Sequence, residues 1–128
     1  MTAGATLNRL FVYGTLQPGH LRWPWLEPFV RDQRPAEVRG SLFDSQQGWP
    51  VAVFGASVDV VPGVLVLLAT ERVQEALLVL DEVEHTATQR LARIVVRTSD
   101  GDAAWAYHCI GPTGGMVRIA AWHGGAER

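Results

Sequence analysis

FVYGTLQPGH, residues 11–20, passes abruptly from packed apolar side chains to glycine, proline and hydroxyl. The segment leading into it, Leu7 to Tyr13, is rich in aliphatic and aromatic residues and stops at Gly14. That is the pattern of a strand buried on both faces. A Gly-Thr step followed by Pro18-Gly19 can expose successive backbone N–H groups with little side-chain obstruction, and such a nest accepts a carboxylate or an oxyanion. The competing reading is an ordinary turn. A phosphate-binding P-loop is excluded, because no Gly-Lys-Ser or Gly-Lys-Thr follows.

Outward from this loop, strand patterns dominate. Residues 20–35 carry Trp23, Pro24, Trp25, Pro28 and Pro35 and predict an irregular excursion or a short helix. Val38 to Phe43 alternates as a half-buried strand does, DSQQGWP turns the chain, and Val51 to Phe54 predicts a short strand. Gly63 to Ala69 is a continuous apolar run of strand length. Leu91 to Thr98 and Ala103 to Ile110 flank SDGD, where Asp100-Gly101 predicts a hairpin turn with positive φ at both positions. The one clear helix runs from Thr70, a candidate cap, to about His85, with Glu71 in its first turn. The tail HGGAER is expected to fray.

Advancing this helix by about 100° per residue gathers Val73, Ala76, Leu77 and Leu80 on one side. Glu84 falls inside that stripe, whereas Glu82 lies roughly opposite and Glu75 well off it. A carboxylate aimed at apolar neighbours is desolvated, which raises its pKa and makes it a better proton acceptor near neutrality. The alternative is a glutamate at the helix end that reaches water or pairs with Arg90 or Arg93.

A chain of 128 residues can bury a single core, so one domain over residues 1–128 is expected. A net charge of −2 and a pI near 6.0 offer nothing to nucleic acid or anionic lipid. Cys109 is the single cysteine, which rules out an intrachain disulfide and fits a reducing cytoplasm. The N-terminus lacks the pattern of a signal peptide, and the longest apolar stretch is broken by Asp59 and Pro62-Gly63, so no membrane span is expected. His20, His85, His108 and His123 show no metal-ligand spacing, and no metal is expected. His108 and Cys109 are adjacent on a strand and point to opposite faces, so they form no nucleophile and base pair. Trp105 groups with Tyr107 and Cys109 as core, while Trp23 and Trp25 suit a cover over a pocket or a subunit contact.

Three features together resemble the γ-glutamyl cyclotransferase-like family, which includes γ-glutamylamine cyclotransferases and their bacterial and plant relatives. FVYGTLQPG is similar to the family's Tyr-Gly-Ser/Thr-Leu loop after the first strand, and LDEVEH to its Leu-Asp-x-x-Glu-Gly at a helix end. The order of RGSLFD, PGVLVLL and AWAYH matches the family's layout over nearly the whole chain. Two departures stand out: His85 where the family usually has Gly, and Leu91 where it often has Tyr, although Arg93 keeps the basic position.

The resemblance implies an α+β fold, a small mixed β-barrel of about five to seven strands with one main helix. It implies a pocket between the loop and the helix end, with Glu84 as catalytic acid/base and the backbone of Tyr13, Gly14, Thr15 and Leu16 binding substrate. His85, Arg93 and Tyr107 are candidate pocket residues. The implied reaction releases 5-oxoproline and an amine from a γ-glutamyl amine or γ-glutamyl amino acid, by attack of the substrate's own α-amine, without cofactor. The rival is a catalytically silent binding or scaffold protein of the same fold, whose pocket His85 and nearby bulk have closed. Either a monomer or a homodimer is compatible with the sequence.

Overall fold

The computed structural model describes residues 7–55, 57–88 and 91–123, with the backbone alone for residues 85–88. Among the described residues one mixed sheet of seven strands curls into a nearly closed barrel. The strands are β1 (Arg9–Val12), β2 (Val30–Asp44), β3 (Pro50–Phe54), β4 (Val60–Leu68), β5 (Leu91–Arg97), β6 (Ala103–Cys109) and β7 (Val117–Ile119). Their order is β3-β2-β4-β1-β6-β5, with β7 added to β2. The β1–β6 pair is parallel and the other ladders are antiparallel. A short helix α1 (Trp23–Leu26) and a long one, α2 (Val73–Thr88), cover one face.

The alternation of β1 divides the core in two. Leu10 and Val12 face the helices and pack with Leu26, Val73, Leu77 and Leu80. Phe11 and Tyr13 face the barrel interior and pack with Leu42, Val61, Leu65 and Ala106. Both sets are buried, as a strand covered on both faces requires. Each fully buried Leu or Phe stabilises the fold by about 1.5–3 kcal/mol relative to exposure. The α2 stripe foreseen from the periodicity, Val73, Ala76, Leu77 and Leu80, is buried as a unit.

Several boundaries differ from the sequence reading. The strand expected from Val38 begins at Val30, within the stretch expected to be irregular, while the turn at residues 20–22, the one-turn α1 and a 3₁₀ turn at Glu27–Phe29 fit that expectation. From Val30 to Ala36 this strand pairs with β4 on one side alone, so Pro35 sits on an edge, where its missing N–H costs no ladder bond, while Val38 also bridges Thr98 on the other side. β4 starts at Val60 rather than Gly63. Thr70 opens a 3₁₀ turn, Thr70–Arg72, that has no side-chain cap; its hydroxyl instead accepts from Asn8 Nδ2 at 3.3 Å.

The β5–β6 hairpin forms, but with Arg97 opposite Ala103 its register is shifted by one residue from that of a two-residue turn at Asp100-Gly101, and of that pair only Gly101 has positive φ. Gly101 N–H donates to Thr98 O at 2.9 Å and Asp102 N–H to Thr98 Oγ1 at 3.1 Å. Ser99 N–H reaches Glu37 O at 2.8 Å and ties the hairpin tip to β2, which helps close the barrel. β7 was not foreseen, being three residues long behind a glycine-rich segment. The expected fraying of the tail falls mostly on residues 124–128, which lie outside the described residues. Among the described residues no helix is long and apolar enough to cross a membrane.

Candidate functional site

Val12 ends β1, and the chain then turns across the end of the barrel. Gln17 N–H closes on Gly14 O at 3.0 Å, His20 N–H on Gln17 O at 3.0 Å, and Arg22 N–H returns to Thr15 O at 2.7 Å. The amides of Gly14, Thr15 and Leu16 meet no hydrogen-bond acceptor among the described residues. Their environment, not a special φ, explains the glycine: a methyl at Gly14 would stand 2.6 Å from Pro50 Cγ. Loop and β3 therefore touch with no room between them.

Tyr13 contributes its backbone to this loop while its ring points into the barrel, where its hydroxyl donates to Tyr107 O at 2.7 Å. Burial, and then the charge of Glu84, hold the Tyr13 hydroxyl well above the usual phenol range, so it is a neutral donor.

Glu84 closes the other side. The Tyr13 to Leu16 loop, Trp49 and Pro50, Leu91, Tyr107 and Glu84 enclose a narrow hollow. About 20 Å³ of it is open to the centre of a water-sized sphere, roughly what one water needs. The Glu84 side chain is 13% exposed. Burial pushes its carboxyl up to about 7, against a smaller downward pull from Arg22. The helix stripe thus does carry this carboxyl inward, next to the loop.

Glu84 also borders a wider, shallower depression of about 390 Å³, shared with Leu91 and Tyr107 and extended by Asp81 and Arg93. Here Arg93 Nε and Nη2 donate to the two Asp81 oxygens at 2.8 and 3.0 Å, and the Tyr107 hydroxyl donates to Asp81 Oδ1 at 2.7 Å. The Arg93 guanidinium lies over the Trp105 ring at 4.4 Å. Burial works to raise the Asp81 carboxyl, but the bonds from Arg93 and Tyr107 outweigh it and hold the pKa below the usual range. Burial and the bond to Asp81 raise the Tyr107 hydroxyl far above the phenol range.

Of the residues singled out in the sequence, Tyr13, Gly14, Thr15, Leu16, Glu84 and Tyr107 converge on the hollow, and Arg93 lies in the adjoining depression. The side chain of His85, and Arg90 altogether, lie outside the described residues. Arg93 serves Asp81; among the described residues Arg22 stands beside Glu84, its Nη1 3.8 Å from Glu84 Oε2. Arg22 has no periodic signal in the sequence and comes close only through the loop's return to Thr15. Trp49, which the sequence leaves open between pocket lining and core filling, forms part of the wall, whereas Trp25 is 57% exposed and takes no part in the hollow. His108 and Cys109 diverge as expected: His108 Nδ1 accepts from Phe54 N–H at 3.1 Å, and Cys109 Sγ donates to Gly111 O at 3.4 Å. Among the described residues no three His, Cys, Asp or Glu side chains converge as metal ligands.

The family model described as γ-glutamyl cyclotransferase, AIG2-like, matches residues 10–123. No curated protein matches by sequence. Among solved structures, an uncharacterized protein of Pyrococcus horikoshii is similar with a TM-score of 0.64 and 20% identity, over 88% of this chain and 85% of that one. YkqA of Bacillus subtilis gives 0.66 and 20% over 91% of this chain, which spans 40% of that protein. An AIG2-like protein of Mus musculus gives 0.66 and 12% over 91% of this chain and 88% of that one. At these identities the structural likeness speaks for the fold.

Proposed function

Since the chain belongs to the γ-glutamyl cyclotransferase, AIG2-like family, we propose that it releases 5-oxoproline and an amine from a γ-glutamyl amine or γ-glutamyl amino acid. The observation that carries this reading is the meeting of a largely buried carboxyl, raised to about 7, with amides of the first strand's end in one hollow. A group titrating near neutrality can both take and return a proton.

In the proposed reaction the substrate's α-amine attacks its own γ-carbonyl carbon. Glu84 takes the proton that the amine loses, and the new C–N bond closes a five-membered ring. The γ-carbonyl oxygen becomes an oxyanion held by the N–H groups of the Tyr13 to Leu16 loop, the kind of donor worth about 10²–10³-fold. When the ring carbonyl re-forms, the bond to the leaving nitrogen breaks and Glu84 returns the proton to it. Proton transfer through a placed base contributes about 10²–10⁴-fold. The protein's remaining contribution is to hold a flexible chain in attack geometry. No metal or cofactor enters these steps, and a cytoplasmic setting suits them.

Incubation with a panel of γ-glutamyl amines and γ-glutamyl amino acids, followed by assay for 5-oxoproline, tests the reading directly. Turnover is expected in the wild type and lost in Glu84→Gln, with binding of 5-oxoproline retained. No release from any member, or an undiminished rate in the variant, rejects it. The narrowness of the hollow favours the second reading, a catalytically silent binding or scaffold protein of the same fold. Retained ligand binding without turnover across the whole panel selects that reading.

A further inference from the structure

We infer that Arg22 holds the free α-carboxylate of the substrate; this rests on the cyclotransferase reading and narrows its substrates to γ-glutamyl compounds whose α-carboxylate is unblocked. Arg22 belongs to the loop's return. Its N–H bonds Thr15 O at 2.7 Å, its Nη1 lies 3.4 Å from Thr15 Oγ1 and 3.8 Å from Glu84 Oε2, and its side chain is 20% exposed. A guanidinium offers five donors in a planar fork matched to a carboxylate. The hydrogen bond to Thr15 Oγ1 is the one that this fork makes with the described residues, and it is a long one.

The chemistry of a γ-glutamyl group asks for this neighbourhood. Its ammonium and carboxylate sit on one carbon, so the base that deprotonates the first and the cation that binds the second must be adjacent. Glu84 and Arg22 are adjacent across the mouth of the loop. With the carboxylate on Arg22, the amides of Gly14, Thr15 and Leu16 are left for the oxyanion on the γ-carbonyl. Carboxylate binding also offsets the positive charge that now draws the Glu84 proton affinity down. Glu84 therefore keeps more of its proton affinity beside the incoming ammonium than it would with that carboxylate absent. A substrate without the carboxylate leaves Arg22 on Glu84 and gains none of this.

Calorimetric titration with 5-oxoproline and with 2-pyrrolidinone, which is the same ring without the carboxylate, tests the assignment on wild type, Arg22→Gln and Arg22→Lys. Arg22→Gln is expected to bind 5-oxoproline about 10- to 100-fold more weakly, Arg22→Lys to recover part of the loss, and 2-pyrrolidinone to bind all three alike. Equal weakening of both ligands, no weakening of either, or no binding of 5-oxoproline to the wild type overturns it. The fate of the parent reading is read separately, from turnover of the panel. Arg22-dependent binding of 5-oxoproline with no turnover of any γ-glutamyl compound supports the carboxylate site and removes the catalytic reading. Turnover with binding that ignores Arg22 overturns this inference alone.

Discussion

Tyr13 donates its hydroxyl to the backbone carbonyl of Tyr107 across the barrel at 2.7 Å, and Tyr107 in turn donates its own hydroxyl to Asp81 on α2 at 2.7 Å. The strand that ends in the loop, the strand beside it and the helix that carries Glu84 are thereby joined through their polar groups. Asp81 precedes Glu84 by three residues, so both lie on one face of α2 about a turn apart.

Asp81→Asn is expected to loosen this linkage. The variant keeps the shape but loses the charge that the Arg93 fork grips, while Arg93 stays stacked on Trp105 without its counter-charge. A stability loss of about 1–3 kcal/mol is expected from unpairing a charged hydrogen bond, with kcat/KM lowered about 10- to 100-fold through misplacement of Tyr107 and Glu84. A double-mutant cycle with Tyr107→Phe should return a coupling of about 1 kcal/mol. Additive effects would show that the bond does not position the site.

Glu84 makes stability depend on pH with a definite sign. Its carboxyl titrates near 4.5 when unfolded and near 7 when folded, so between these values the native state binds more protons. Stability is therefore expected to fall as pH rises from about 4.5 through 7, and the cost, at most about 3 kcal/mol, is fully present above that. Glu84→Gln removes the titration, so the variant should be the more stable protein at pH 8 and show no such advantage at pH 4. Urea unfolding of both proteins across this range measures the gap. A gap that does not change with pH would place Glu84 in solvent. In the wild type, kcat/KM is expected to rise with pH through the same midpoint, as the base loses its proton.

The site was legible where a repeating pattern carried it, and hidden where contact arises from a turn. Val73, Ala76, Leu77 and Leu80 announce their face through a 3.6-residue period, and that period carries Glu84 inward with them. The double burial of β1 follows from the unbroken apolar run Leu10 to Tyr13. Arg22 obeys no period; one hydrogen bond, from its own N–H to Thr15 O, brings it to Glu84. The first part of β2 reads as loop because Arg31, Asp32, Gln33 and Arg34 are polar and Pro35 follows, yet an exposed edge tolerates both. Asp100 carries a hairpin signal in sequence, but the two bonds that Thr98 accepts set a different turn, in which only Gly101 needs positive φ. Trp49 and Pro50 reach the hollow because β2 and β3 pair, a long-range fact that local reading does not contain.

Gly14 offers the sharpest test of how tightly the loop is set. A Cβ there would meet Pro50 Cγ at 2.6 Å and Cδ at 2.9 Å, both atoms of a ring that cannot swing aside. Gly14→Ala must therefore push the loop away from β3 or displace β3 itself, at a cost of about 1–3 kcal/mol. Displacement of the loop also carries the amides of Thr15 and Leu16 off their line to Glu84, and turnover is expected to drop about 10²-fold. Adding Pro50→Ala removes both clashing atoms and leaves the Asp44 opposite Pro50 pairing position intact. The double variant should regain most of the melting temperature and part of the turnover lost by Gly14→Ala. If Gly14→Ala melts and turns over like the wild type, or if the second substitution restores nothing, contact with Pro50 is not what sets the loop.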